Sequence, residues 1–256
     1  MARQLLKNID ILATMEDVPD YTGTICGREL KDAAIIIDDN VILSVGPTSE
    51  LAENADNCDE VHDLSGHIVL PGLVNTHHHL FQNLTRVVPT AQNHSLFGWL
   101  QTLYPIWLNL QPEDFYVAAA TGLAELVLSG CTTSSDHQYL FPNGSRLEDS
   151  IEAAADVGIR FTATRGSMSI GESKGGLPPD QLCEVEDSIL KDCLRVIDAH
   201  HDASDHAMIQ IALAPCSPFT VSTGLMADTA TMAADKGVGL HTHLAENSED
   251  IDYSLA

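Results

Sequence analysis

The sequence lacks a long hydrophobic run. No apolar stretch approaches the roughly 18 to 20 residues that a membrane-spanning helix requires. The first residues also lack the apolar block and cleavage site of a signal peptide, because Lys7 and Asp10 break the pattern. We therefore expect a cytoplasmic protein that has no membrane partner.

Basic residues are scarce. The chain has 12 lysines and arginines against 37 aspartates and glutamates, which gives a formal net charge of −25. Such a surface repels nucleic acids and anionic membranes, so neither is expected as a partner. The acidic excess is spread along the chain, which is compatible with a host living in high salt, where counterions screen the self-repulsion.

Cysteines are few, and their spacing does not indicate disulfide bonds. The six cysteines form no CxxC motif and no close pair, which is typical of reduced thiols in a cytosolic protein. Hydrophobic residues make up 44% of the chain and aromatic residues 5%, an ordinary composition for a soluble fold. A chain of 256 residues is long enough for one large domain or two smaller ones.

The first 66 residues lack a sustained helical period. The segment 5–14 reads as a strand, and the segment 33–46 reads as two strands around a tight turn near Asp39 and Asn40. This pattern predicts a small β domain over residues 1–66.

From residue 67 onward, strand and helix patterns alternate. The run HIVLPGLVNTHHH predicts a buried strand. Four further strands are expected at 131–136, 159–166, 207–216 and 238–246. The helices between them are expected at 111–130, from the capping pair Ser145 and Glu148 to Gly158, at 180–201, and from Ser222 to Gly237.

This alternation predicts an α/β fold with a parallel sheet and right-handed crossovers. A doubly wound sheet and a (β/α)8 TIM barrel both begin in this way. The sequence has no glycine-rich phosphate loop after its first strand, which favours the barrel. We therefore expect residues 67–256 to form a partial barrel with about five of its eight units.

Two histidine pairs follow predicted strands. In VNTHHHLFQ, His77 and His79 lie two residues apart and share one face of the strand, and in GLHTHLAEN the same holds for His241 and His243. An isolated HxH motif is common by chance. Two such pairs at the carboxyl ends of apolar strands indicate a metal site, because barrel enzymes place their chemistry there.

The strings LPGLVNTHHHLFQNLTR and HTHLAEN together resemble the amidohydrolase superfamily, in the branch that deaminates aminated purines, pterins and triazines. The resemblance implies one Zn²⁺ ion held by His77, His79 and His243, with Glu246 as the proton shuttle and His241 as a neighbour. Strand four lacks the lysine of the two-metal subtype, which favours the one-metal site. Iron is the alternative metal, since imidazole suits several ions.

The same resemblance implies groups that lie beyond Ala256: a histidine after strand six and an aspartate after strand eight. We therefore expect that the chain is truncated at its C-terminus and poorly active alone, and that its β domain is an incomplete composite β-sandwich. The full-length protein is expected to be a homo-oligomer. The alternative from another class is an inactive zinc-binding fragment or partner subunit.

From residue 67 onward, several longer stretches resemble bacterial 8-oxoguanine deaminases, including SGCTTSSDHQYLFPNGSRLEDSIEAA and APCSPFTVS. The resemblance implies hydrolytic deamination of 8-oxoguanine to urate and ammonia. Alkylaminohydrolases of the hydroxyatrazine type share much of this framework and remain the alternative, together with other purine or pterin deaminases.

A flat ring with amide-like edges needs paired hydrogen-bond donors and acceptors. Gln82 offers both, and Trp107 offers a stacking surface unless it belongs to the core. His137 follows the second predicted strand of this region and Cys216 ends the fourth, so both are further candidates for substrate contact. Each of these residues also has a purely structural interpretation.

Overall fold

The computed structural model describes residues 2–19 and 25–255. Within these ranges, the side chains at positions 18, 19, 25, 26 and 253 are not described. The chain forms two compact units, Met1–Gly72 and Leu73–Ala256. None of the helices in the described ranges is long and apolar enough to cross a bilayer.

The first unit is a five-stranded sheet with one short helix, α1 (Thr48–Leu51). Its strands are β1 (Arg3–Pro19), β2 (Ile25–Asp38), β3 (Val41–Pro47), β4 (Glu60–Asp63) and β5 (Ile68–Val69). Strand β1 pairs antiparallel with β2 and parallel with β4 and β5, and β3 flanks β2. The predicted turn is confirmed: Asp39 adopts a φ of 57° between β2 and β3.

The second unit is a parallel five-stranded sheet covered by helices. Its strands are β6 (Leu73–Asn75), β7 (Cys131–Gln138), β8 (Arg160–Ser167), β9 (Ile209–Pro215) and β10 (Gly239–Leu240). They pair in the order β10-β9-β8-β7-β6, each parallel to its neighbours in sequence. This arrangement is a curled half-barrel and confirms the predicted partial (β/α)8 fold.

Six helices belong to the second unit. They are α2 (Leu96–Trp107), α3 (Pro112–Leu128), α4 (Leu147–Val157), α5 (Glu186–His200), α6 (Thr223–Lys236) and α7 (Ser248–Leu255). Apolar side chains of α3, α4, α5 and α6 form one core with the residues of β7, β8 and β9 that pack against these helices. Burial of these faces holds the sheet, and therefore the strand ends, in place.

Several predicted helix ends are confirmed. The Ser222 hydroxyl caps α6 by accepting a hydrogen bond from the Leu225 N–H at 3.0 Å. Helices α4 and α6 end at Gly158 and Gly237, which adopt left-handed conformations with φ of 78° and 67°. Glycine is favoured at these positions because a Cβ atom is strained there.

The predicted capping pair of Ser145 and Glu148 is wrong. Helix α4 is capped one residue later, where the Arg146 backbone N–H donates to the Asp149 carboxylate at 2.8 Å. Ser145 instead donates its hydroxyl to the Pro142 carbonyl. The helix therefore begins at Leu147, one residue later than the predicted cap implies.

Three predicted boundaries also shift. The run HIVLPGLVNTHHH is not one strand, because β5 in the first unit and β6 in the second divide it around Pro71, which has no N–H for a ladder. The expected helix over 180–201 begins only at Glu186. The fifth strand is limited to Gly239–Leu240.

The cysteine prediction holds for the described side chains. Free thiols occur at Cys58, Cys131, Cys183, Cys193 and Cys216. The side chain of Cys26 lies outside the described residues. Cys131 and Cys193 are buried in the main core of the second unit, where they pack as small apolar side chains.

Candidate metal centre

The three predicted ligands meet at one point. His77 and His79 lie in the turn after β6, and His243 follows β10. The Nε2 atom of His79 is 3.1 Å from that of His77 and 3.1 Å from that of His243. The Nε2 atoms of His77 and His243 are 3.3 Å apart and close the triangle.

Backbone carbonyls fix the tautomers of two of these rings. His79 Nδ1 lies 2.7 Å from the carbonyl oxygen of His137, and His243 Nδ1 lies 2.7 Å from that of Cys216. A carbonyl oxygen only accepts, so each Nδ1 carries a proton, and the Nε2 of each ring is left to face the other Nε2. Facing lone pairs repel unless a cation lies between them.

The charge state of the rings suits a metal. Burial lowers the pKa of His79 to about 3, and burial followed by the nearby His243 lowers that of His77. Both rings are therefore neutral at pH 7 and offer lone pairs. Ligands 2.0–2.1 Å from a tetrahedral zinc ion lie about 3.3 Å apart, which the triangle of Nε2 atoms matches. The residues present thus fit zinc.

Two further imidazoles adjoin the triangle. His137 is completely buried, and its ring stacks on that of His243 with centroids 4.7 Å apart. Neither ring nitrogen of His137 has a hydrogen-bond partner among the described residues, and the same holds for His241 Nε2. Burial lowers the pKa of His241 to about 4. The rings of His137, His241 and His77 form a second group of potential metal ligands, in which the ligand nitrogens lie within 4.8 Å of one another.

A cavity of about 160 Å³ adjoins the triangle. Of the residues that the sequence singled out, it is lined by His79, His243, Gln82, Cys216 and Glu246. The Gln82 amide donates to the Tyr139 hydroxyl at 3.2 Å. Burial raises the pKa of Cys216 to about 12, so it presents an uncharged thiol. The cavity therefore combines hydrogen-bonding groups, a carboxylate and the imidazole nitrogens of His79 and His243.

Trp107 lies elsewhere. It is completely buried, donates its indole N–H to the Thr85 hydroxyl at 3.1 Å, and packs edge-on against Phe81. Trp99 lines the cavity and contacts Trp107, with ring centroids 5.4 Å apart. The sequence named Trp107 as a stacking surface unless it belongs to the core, and the structure places it in the core.

Sequence reasoning missed several other cavity residues. These include Trp99, Tyr104, Ser217, Phe219 and Thr220. Ser217 and Thr220 are held together by a hydrogen bond between their hydroxyl oxygens at 2.9 Å. Their position directly after β9, on the carboxyl side of the sheet, is the signal that was available.

Comparison with known sequences identifies the family of this chain. The sequence profile of the amidohydrolase family matches residues 68–256. The chain is 46% identical over 233 residues to the 8-oxoguanine deaminase of Pseudomonas aeruginosa, covering 90% of this chain and 51% of that protein. It is 33% identical over 235 residues to the hydroxydechloroatrazine ethylaminohydrolase of Pseudomonas sp. strain ADP, covering 88% and 49%. The chain therefore spans about half the length of these curated relatives.

Solved structures show the same architecture. An atrazine chlorohydrolase from Arthrobacter aurescens TC1, complexed with zinc, superimposes with a TM-score of 0.85 at 33% identity, covering 98% of this chain and 55% of that one. An adenosine deaminase from Xanthomonas campestris with bound zinc shares the fold, with a TM-score of 0.76 at 20% identity, covering 98% and 51%.

Proposed function

The chain belongs to the amidohydrolase family, and we propose that its protein is a zinc-dependent deaminase that converts 8-oxoguanine to urate and ammonia. One observation carries the proposal: the Nε2 atoms of His77, His79 and His243 converge within 3.1–3.3 Å. The choice of 8-oxoguanine as the substrate is supported by the 46% identity to an 8-oxoguanine deaminase.

The proposed metal ligands are His77, His79 and His243. Their rings offer three nitrogens on one side, while two backbone carbonyls hold His79 and His243 from behind. A zinc ion bound there supplies the Lewis acidity that makes water a nucleophile at neutral pH. The exposure of His77 leaves the group open for a water molecule and a substrate to approach.

Glu246 is proposed as the proton carrier. Its carboxylate borders the same cavity as His79 and His243, which supports this role. It would donate a proton to the ring nitrogen beside the carbon that carries the amino group, recover a proton from the hydroxyl group added at that carbon, and deliver this proton to the amino group, which leaves as ammonia. Its backbone N–H donates to the buried Asp250 carboxylate at 3.0 Å, which fixes this segment.

We further propose that Gln82 and Cys216 contact the ring from the cavity wall. Gln82 supplies amide groups for the ring edge, and the neutral Cys216 thiol supplies a wall without charge. For His137 and Trp107 we propose a supporting role. The His137 ring stacks on His243, and Trp107 packs against Trp99.

A second candidate is an alkylaminohydrolase of the hydroxyatrazine type. It is favoured by the 33% identity to hydroxydechloroatrazine ethylaminohydrolase and by the TM-score of 0.85 with an atrazine chlorohydrolase. An inactive zinc-binding partner remains the alternative from another class. Homo-oligomer formation and zinc rather than iron are parts of the same proposal.

The test is a product assay on the complete protein that contains this chain. Zinc-loaded protein is offered 8-oxoguanine, guanine and hydroxyatrazine, and ammonia, urate and ethylamine are measured. Urate and ammonia from 8-oxoguanine support the first candidate, and ethylamine from hydroxyatrazine supports the second. Stoichiometric zinc binding without turnover of any of the three would favour the inactive partner.

A further inference from the structure

The turn that carries His79 is held by the end of β7 through three hydrogen bonds. The Leu80 backbone N–H donates to Asp136 Oδ1 at 2.8 Å. The His137 backbone N–H donates to the carbonyl of His78 at 2.7 Å, and His79 Nδ1 donates to the carbonyl of His137 at 2.7 Å. Asp136 is the only residue of β7 that contributes a side chain to this set.

Asp136 is an unusual residue for its position. Its side chain is 1% exposed, and its second oxygen has no hydrogen-bond partner in the described part of the chain. Burying a carboxyl group with so few partners costs free energy, and an apolar residue would fill the space without that cost. An apolar residue in this position could not accept the hydrogen bond from the Leu80 N–H.

The geometry points to Asp136 as a positioning residue for the metal centre, an inference that rests on the proposed metal site. By accepting from Leu80, it fixes the backbone directly after His79. The His79 ring is then aligned both with the His137 carbonyl and with the nitrogens of its partner imidazoles. Without this acceptor, the buried Leu80 N–H would be unpaired and the turn would shift to satisfy it.

The experiment compares the zinc affinities of three variants by competition with a chromophoric chelator. Asp136→Ala removes the acceptor, whereas Asp136→Asn keeps an oxygen at the same place. Ser134→Ala is the matched control, since Ser134 is equally buried, lies on the same face of β7 and donates its hydroxyl to the Ser135 carbonyl rather than to the turn that carries His79. The visible spectrum of bound Co²⁺ reports the ligand geometry in each variant.

We expect Asp136→Ala to weaken zinc binding by about 10- to 100-fold, the usual effect of losing an outer-shell partner, and to alter the Co²⁺ spectrum. Asp136→Asn and Ser134→Ala should bind as the wild type does. Unaltered affinity and spectrum in Asp136→Ala would overturn the positioning role alone. Absence of zinc binding by the wild type would overturn the metal site as well.

Circular dichroism of the metal-free variants shows whether each one folds. If Asp136→Ala is unfolded, Asp136→Thr takes its place, because its hydroxyl falls one atom short of the carboxylate oxygen while most of the volume is kept. A folded Asp136→Thr variant with wild-type zinc affinity would contradict the inference, and a weakened one would support it.

Discussion

The Nε2 atoms of His79 and His243 lie 3.1 Å apart, although 164 residues separate them in the chain. Each ring donates its Nδ1 proton to a backbone carbonyl and directs its Nε2 at the other ring. Two neutral rings held in this way turn lone pairs toward each other, and a metal ion between the nitrogens would relieve that repulsion. This relationship makes metal binding the property of the chain that can be tested most directly.

Replacing His79 by alanine should weaken zinc binding by more than the 10- to 100-fold that loss of an outer-shell partner typically causes, because a direct ligand is lost. Isothermal titration of the metal-free chain measures the change. His67→Ala is the control, since His67 is an exposed histidine whose ring nitrogen Nδ1 contacts the Ser65 carbonyl. Equal zinc affinity in His79→Ala and His67→Ala would refute the site.

Replacing Glu246 by glutamine should reduce ammonia release from 8-oxoguanine by about 10²- to 10⁴-fold, since an amide cannot carry the proton. Zinc content should be unaltered, because Glu246 is not a proposed ligand. The assay uses the complete protein with zinc bound. Glu249→Gln, an exposed acid in the first turn of α7, serves as the control and should keep full activity.

The stability of the metal-free chain should depend on the protonation of Asp136. Burial raises its pKa from 3.8 to about 7, so the folded state prefers the protonated acid. The contribution of Asp136 to the free energy of unfolding is fully present below about pH 4 and is lost as the pH rises through about 7. Asp136→Asn has no such titration.

Urea unfolding of wild type and Asp136→Asn at a series of pH values measures this effect. Between about pH 4 and pH 7, the free energy of unfolding of the wild type should fall relative to the variant by about 1 kcal/mol per pH unit. The two proteins differ only at residue 136, so the difference between their curves reports the effect of that side chain. Parallel curves for the two proteins would show that Asp136 is already ionised in the fold.

Replacing Arg165 by alanine should destabilise the second unit by about 3–5 kcal/mol. The Arg165 guanidinium is 1% exposed and pairs with Glu184 and Asp192, both at 2.7 Å. Its loss leaves the partly buried Glu184 carboxylate without its cation and leaves Asp192 paired with Arg195 alone. Urea unfolding measures the loss. Arg86→Ala, which breaks an exposed pair with Glu125, should change stability by less than about 1 kcal/mol.

Much of the fold follows from periodicity in the sequence. Apolar runs of strand length alternate with helical patterns from residue 67, and the glycines at 158 and 237 end helices as expected. The extent of β10 could not be predicted, because ladder pairing rather than composition defines a strand. Only Gly239 and Leu240 pair with β9, at the outer side of the sheet.

The convergence of His77, His79 and His243 was predictable because a parallel sheet brings the carboxyl ends of its strands to one edge. The aromatic wall of the cavity was not. Trp99 and Trp107 lie two helical turns apart on α2, and only tertiary packing decides that Trp99 borders the cavity while Trp107 is enclosed. The role of Asp136 was equally hidden, since its contact with Leu80 joins residues that are 56 positions apart.

Strands β6 and β10 are the two margins of the parallel sheet, and the three imidazoles come from the segments that follow them. An ion held by all three would therefore be a crosslink from one margin to the other. Their nitrogens converge only while the intervening strands keep the sheet bent by the right amount. Metal affinity would thus depend on the curvature of the sheet. A mutation in the central strand β8, which supplies none of the three imidazoles, could then be detected as a change in metal affinity.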